Sequence, residues 1–236
     1  MLKRRWSIYA VILLSLAVIA CGTEAPAPDQ AARTAAAADA PMEAPVMGPE
    51  RRILAFGDSL FAGYNVAKGA SYPARLETAL RARGINARVV NAGVSGDTTA
   101  AGLQRLAFTL DAQEAKPELV ILELGGNDLL RNLPPSETRA NLAAMLEELG
   151  RREIPVLLMG MRAPPNLGGE FVDEFDGIYP ALAKEYGAAL VPFFIEPMFD
   201  KPELIQADRI HPTEQGIEAL VSASVDAVVG ALPPAR

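Results

Sequence analysis

Downstream of residue 50 the chain alternates short apolar runs with longer segments in which apolar residues recur every three or four positions. Five runs read as strands, at 53–56, 88–91, 119–124, 155–159 and 189–191. They are β-branched or leucine-rich and mostly lack polar alternation, as expected for strands covered on both faces. The segments near 71–83, 98–110, 136–152 and 171–186 carry helical periodicity, and Gly84, Gly150 and Gly187 stand where helices should stop. A last helix is expected over 213–229, with Ile217, Leu220, Val221, Val225, Val228 and Val229 at helical spacing. This strand–helix alternation predicts an α/β fold, a five-stranded parallel sheet with helices on both faces. In the common doubly wound order 2-1-3-4-5, strand one lies between strands two and three. Ligands bind such sheets beside the C-terminal end of strand one.

The first 50 residues follow a different pattern. Lys3, Arg4 and Arg5 precede an apolar run from Ile8 to Ala20. At about 13 residues that run is short of the roughly 20 that span a bilayer, and it suits a signal-peptide core. It ends Val18-Ile19-Ala20-Cys21-Gly22. This resembles the lipobox of bacterial lipoproteins, in which the cysteine is lipidated and becomes the first mature residue. The reading is therefore a lipoprotein-type signal peptide over 1–20 and a lipid anchor at Cys21, with a plain secretory signal as the alternative. The resemblance places the product in the cell envelope, and Gly22 after the cysteine leans towards the outer membrane if the source is Gram-negative. Residues 21–50 are rich in Ala and Pro with almost no large apolar side chains, so they are expected to form a disordered tether.

Composition narrows the chemistry. The chain of 236 residues has a formal net charge of -7 and no Lys/Arg stripe in its body, which sets nucleic-acid partners aside. It holds one cysteine and one histidine, Cys21 and His211. No intrachain disulfide can form, and a zinc site of the usual nitrogen and sulfur ligands cannot be assembled. No metal ligand set is assigned.

Four short blocks follow the expected strands: Gly57-Asp58-Ser59-Leu60 after the first, Asn91 to Asp97 after the second, Gly125-Gly126-Asn127-Asp128 after the third, and Asp208-Arg209-Ile210-His211-Pro212 beyond the fifth. Each is weak alone, since a given four-letter string arises by chance in about 1% of chains this long. A lone Ser is more often a helix cap, Asn127 a loop residue and Asp208 a turn former. Together they fit one reaction. Ser59 would be the nucleophile, His211 its general base, and Asp208 the group that orients the imidazole. The Ser59 and Gly96 N–H groups and the Asn127 side-chain amide would form an oxyanion hole, each donor worth about 3–4 kcal/mol in the transition state. Glycine at 96 would keep a side chain out of the substrate's approach.

Ser59, Gly96, Asn127 and His211 fall, in order, in the four blocks of the SGNH (GDSL) hydrolase family. The chain resembles the group containing the multifunctional acyl-CoA thioesterase/lysophospholipase L1 and related arylesterases, from Arg51 to Val229. The resemblance implies a flavodoxin-like three-layer α/β/α fold and a hydrolase domain over 51–236. It implies cofactor-free cleavage of esters, thioesters or lysophospholipids. It also implies a mobile loop near 129–133 that shapes the acyl site, and Leu129, Leu130, Leu133 and Phe61 are expected near that site. Two positions depart from the family: Phe61 stands where close relatives usually carry Thr, and Arg209 where many carry Gly. If position 209 needs positive φ, Arg there costs about 1 kcal/mol or more.

Rival readings fit less well. An α/β-hydrolase elbow needs G-x-S-x-G, and Phe61 occupies the final Gly position. A nucleotide-binding domain needs G-x-G-x-x-G or a Walker lysine after strand one. A carbohydrate O-acetyl esterase of the same family and a non-catalytic binding lipoprotein remain as alternatives.

Overall fold

The structure, a computed structural model, describes residues 46–235. The signal-peptide reading, Cys21 and most of the expected tether lie outside the described residues.

Five parallel strands form one sheet: β1 (Arg51–Gly57), β2 (Ala87–Gly93), β3 (Leu119–Glu123), β4 (Val156–Met159) and β5 (Ala189–Val191). Their order is β2-β1-β3-β4-β5, the order expected from the sequence. Every residue of β3 and β4 is buried, which explains their unbroken apolar runs. The edge strands β2 and β5 carry mostly half-buried or exposed residues, and β5 is only 3 residues long.

Helix α1 (Ser59–Ala62) is a single turn after β1; α2 (Tyr72–Ala82) and α3 (Thr99–Asp111) flank β2 in sequence. A second short helix, α4 (Gly126–Leu130), follows β3 and leads to α5 (Pro135–Arg151). The long helices α6 (Gly169–Tyr186) and α7 (Glu214–Ala231) complete the layers. Helix α2 packs with α7, and α5 packs with both α3 and α6, one pack on each face of the sheet. Thr98 and Thr213 cap α3 and α7 by accepting from Ala101 N and Gly216 N.

Two local expectations differ from what is seen. Gly150 does not stop a helix, because α5 runs through Arg151 and the left-handed turn falls on Glu153, at φ 54°. The segment expected as a loop over 129–133 begins inside α4, which takes in Leu129 and Leu130, and 131–133 leave it in a turn.

Strand register sets up the site. Gly57 lies opposite Gly93 on one side and Glu123 on the other, so three neighbouring strands end at one level. Ser59, Gly96 and Asn127 follow those ends by 2, 3 and 4 residues. Gly93 permits the close approach this needs, because a Cβ there would collide with the backbone of Phe61 and Ala62.

Candidate active site

Ser59 is the first residue of α1, half-buried, and Asp58 rather than Ser59 supplies the cap by accepting the Leu60 N–H at 3.0 Å. Among the described residues the Ser59 N–H donates no hydrogen bond, since a first-turn N–H has no partner within its own helix. The Gly96 N–H likewise has no acceptor among the described residues. Gly96 sits at φ +87°, and the only atom near an added Cβ would be Arg131 Nη2 at 3.7 Å. The protein thus leaves space there, and backbone conformation is what demands glycine. Arg131 Nη2 donates to Gly96 O at 2.7 Å and fixes that peptide.

His211 reaches Ser59 from the far end of the chain. Its loop is pinched by the pairing of Ile205 with Pro212, and Gln206 N donates to His211 O at 2.8 Å. His211 Nε2 lies 2.9 Å from Ser59 Oγ, and Nδ1 lies 2.7 Å from Asp208 Oδ2. Asp208 Oδ1 accepts the N–H groups of Ile210 and His211, so the same carboxylate forms the turn and orients the ring. Its bond to the imidazole, aided by those N–H groups, holds the Asp208 carboxyl below its ordinary 3.8, at about 2. Arg209 adopts φ +62°, so this position does take the left-handed conformation in which a non-glycine residue is strained.

Asn127 bridges the other two blocks. Its Nδ2 donates to Asp58 Oδ2 at 2.9 Å and to Asp97 O at 3.0 Å. Those acceptors belong to the residues next to Ser59 and Gly96, so the amide sits between the two free N–H groups. One of its hydrogens must leave an acceptor to reach an oxyanion. Neighbouring Asp128 anchors α4 by accepting from Thr99 N at 2.9 Å and from the Thr99 and Thr138 hydroxyls.

A cleft of about 480 Å³ opens beside Ser59, lined by Leu60, Leu129, Leu130, Met161, Leu167, Ile195, Met198, Phe199 and Ile205 among others. Arg162 and Arg209 line it too. Phe61 does not line it: it is fully buried, stacked on Tyr72 at 4.9 Å and edge-on to Phe194 at 5.8 Å. Leu133 also falls outside the lining.

Sequence reasoning missed several residues. Tyr64 stacks on the His211 ring, with centroids 4.2 Å apart. Gln206 Nε2 donates to Tyr64 O and Pro212 O, tying the two loops together. Glu123 lies fully buried behind Ser59, and burial with the adjacent Asp58 charge raises its carboxyl well above the usual range. Its signal was visible as the lone acid in Leu119-Val120-Ile121-Leu122-Glu123-Leu124. Nothing in the local sequence marks Tyr64 or Gln206.

A serine hydroxyl, an imidazole and a carboxylate in line, beside free N–H groups and an apolar cleft, suit acyl transfer. The GDSL-like Lipase/Acylhydrolase family matches the chain over residues 55–219. The chain belongs to this family. It is a GDSL ester hydrolase with the flavodoxin-like layering that the sequence suggested. An arylesterase of Vibrio mimicus is 42% identical over 68% of this chain and 80% of its own length. Thioesterase 1/protease 1/lysophospholipase L1 of Escherichia coli is 41% identical over 68% and 74%. Among solved structures, AlinE4, an SGNH-hydrolase family esterase, is 68% identical and covers 79% of this chain and 99% of its own, with a TM-score of 0.68.

Proposed function

We propose that this GDSL hydrolase cleaves carboxylic esters and thioesters through an acyl-enzyme on Ser59. The observation that carries the reading is the Asp208–His211–Ser59 relay, with heavy-atom distances of 2.7 and 2.9 Å. His211 Nε2 accepts the Ser59 proton as Oγ attacks the acyl carbon. The oxyanion is held by the N–H groups of Ser59 and Gly96, and by Asn127 once its amide exchanges an acceptor. His211 then gives its proton to the leaving alcohol or thiol and later activates the water that deacylates Ser59. Asp208 remains ionised throughout and favours the imidazolium.

The cleft favours aliphatic acyl groups, as in substrates of the arylesterase, acyl-CoA thioesterase or lysophospholipase type. Its lining is predominantly apolar, which fits an acyl chain better than an acetylated glycan. Arg162 and Arg209 add charge suited to an anionic leaving group. The deciding experiment is a chain-length series of p-nitrophenyl esters and acyl thioesters. The expected result is a higher kcat/KM for medium or long acyl chains than for acetyl, and acetyl-only activity would overturn it.

The N-terminal sequence supports a further part of the reading. We infer export and lipidation at Cys21, with residues 22–50 tethering the domain to a membrane of the cell envelope. An intact mass of membrane-extracted protein should carry acyl chains on Cys21, and an unacylated mass would refute the anchor.

A further inference from the structure

One buried group has no part in the relay. Glu123 ends β3 fully buried; its Oε2 accepts the Asp58 N–H at 3.2 Å, and its Oε1 has no hydrogen-bond partner among the described residues. Gly57 makes room for it, since a Cβ there would lie 2.7 Å from Glu123 Oε2. Asp58, itself buried, caps α1 through Oδ1 and holds Asn127 through Oδ2. A second ionised carboxyl here would leave two adjacent charges buried. No guanidinium or ammonium pairs with either carboxyl among the described residues.

We propose that Glu123 is a positioning residue that carries a proton beside Asp58, keeping Asp58 in place as the acceptor that sets Ser59 and Asn127. The proposal rests on the assignment of Ser59 and Asn127 above.

The groups around the pair agree with one shared proton. Burial raises both carboxyls, Glu123 more strongly because the Asp58 charge also opposes its ionisation. The Leu60 N–H and the Asn127 amide, both donating to Asp58, favour charge on Asp58 instead. From the helical layers, Tyr72 on α2 and Tyr179 on α6 face Glu123; burial raises both phenols and keeps them neutral, and a phenol offers no positive charge to either carboxyl. Asp128 on α4 adds to the negative side near Tyr179. Arg105 on α3 donates to Gly57 O at 2.9 Å and pairs with Asp97 rather than with Glu123 or Asp58. The proton therefore stays on Glu123 and the charge on Asp58. Loss of that proton at high pH sets the two carboxylates against each other directly behind the Ser59 turn.

The test compares full-length wild type, Glu123→Ala and Glu123→Gln on a neutral p-nitrophenyl ester from pH 6 to 10. Modification of wild-type Ser59 by a fluorophosphonate serves as the independent check on the catalytic assignment. The expected result is a kcat at least tenfold lower for Glu123→Ala, with KM changed less than about twofold. Glu123→Gln, which mimics the protonated acid, restores kcat to within about threefold of wild type at pH 7. It also keeps activity at alkaline pH values where wild type declines. Identical alkaline profiles for wild type and Glu123→Gln overturn the proposal, and that comparison decides even if Glu123→Ala fails to fold. An unlabelled wild-type Ser59 would instead overturn the assignment on which the proposal rests.

Discussion

His211 Nε2 lies 2.9 Å from Ser59 Oγ across 152 residues of chain, and the pinch between Ile205 and Pro212 delivers it there. Two further contacts keep the ring in place. Tyr64 stacks on one face of it, and Asp208 holds the opposite nitrogen.

The first prediction concerns acid. Asp208 keeps its charge down to about pH 2, so it contributes no protonation event between pH 4 and 8. Asp208 therefore adds nothing to an acid limb in kcat/KM within that range. The same depression has a consequence for stability. The contribution of Asp208 is complete above its ordinary value of 3.8 and is lost as the pH falls through about 2. Replacing Asp208 by Asn should lower kcat by about 10⁴-fold, because the imidazole loses the partner that fixes its tautomer. Rate–pH profiles of the two proteins check this.

Asn127→Ala should lower kcat by about 10²- to 10³-fold, the usual effect of removing one oxyanion donor. Its effect on KM should be small, because in the free enzyme the amide is engaged with Asp58 and Asp97 rather than turned to substrate. Steady-state kinetics separate the two terms.

The pattern of apolar runs was enough to place five strands, since β1, β3 and β4 are buried almost throughout, while their order came from the common doubly wound arrangement and not from the runs. The four blocks were legible for a related reason: each follows a strand end, and the Gly57–Gly93–Glu123 register brings those ends to one level. What escaped depended on side-chain packing. Phe61 reads as a cleft residue because it follows Ser59 by two positions, yet the single turn of α1 rotates it inward against Tyr72. Gln206 and Tyr64 act through contacts between distant loops, which no local spacing encodes.

Position 209 offers a test of stored strain. Arg209 at φ +62° costs about 1–2 kcal/mol relative to glycine, partly offset by about 0.5–1 kcal/mol of glycine chain entropy. Arg209→Gly should therefore raise stability by roughly 0.5–1 kcal/mol in urea titration. It should also reduce kcat/KM for a lysophospholipid with an anionic headgroup more than for a neutral p-nitrophenyl ester.

The pH dependence of stability should carry the mark of the buried acids. Asp58 and Glu123 are both raised, so above about pH 4.5 the folded state holds more protons than the unfolded chain, and stability falls as pH rises. Glu123→Gln removes one such group, so its urea midpoint should fall less than that of wild type between pH 5 and 8.

The role of Ser59 is tested most directly by treating the purified protein with a fluorophosphonate and mapping the adduct by peptide mass. The account predicts stoichiometric modification of Ser59, loss of ester hydrolysis in proportion, and no adduct or activity in Ser59→Ala. Full hydrolysis by Ser59→Ala, or an adduct on a different serine that abolishes activity, would contradict it.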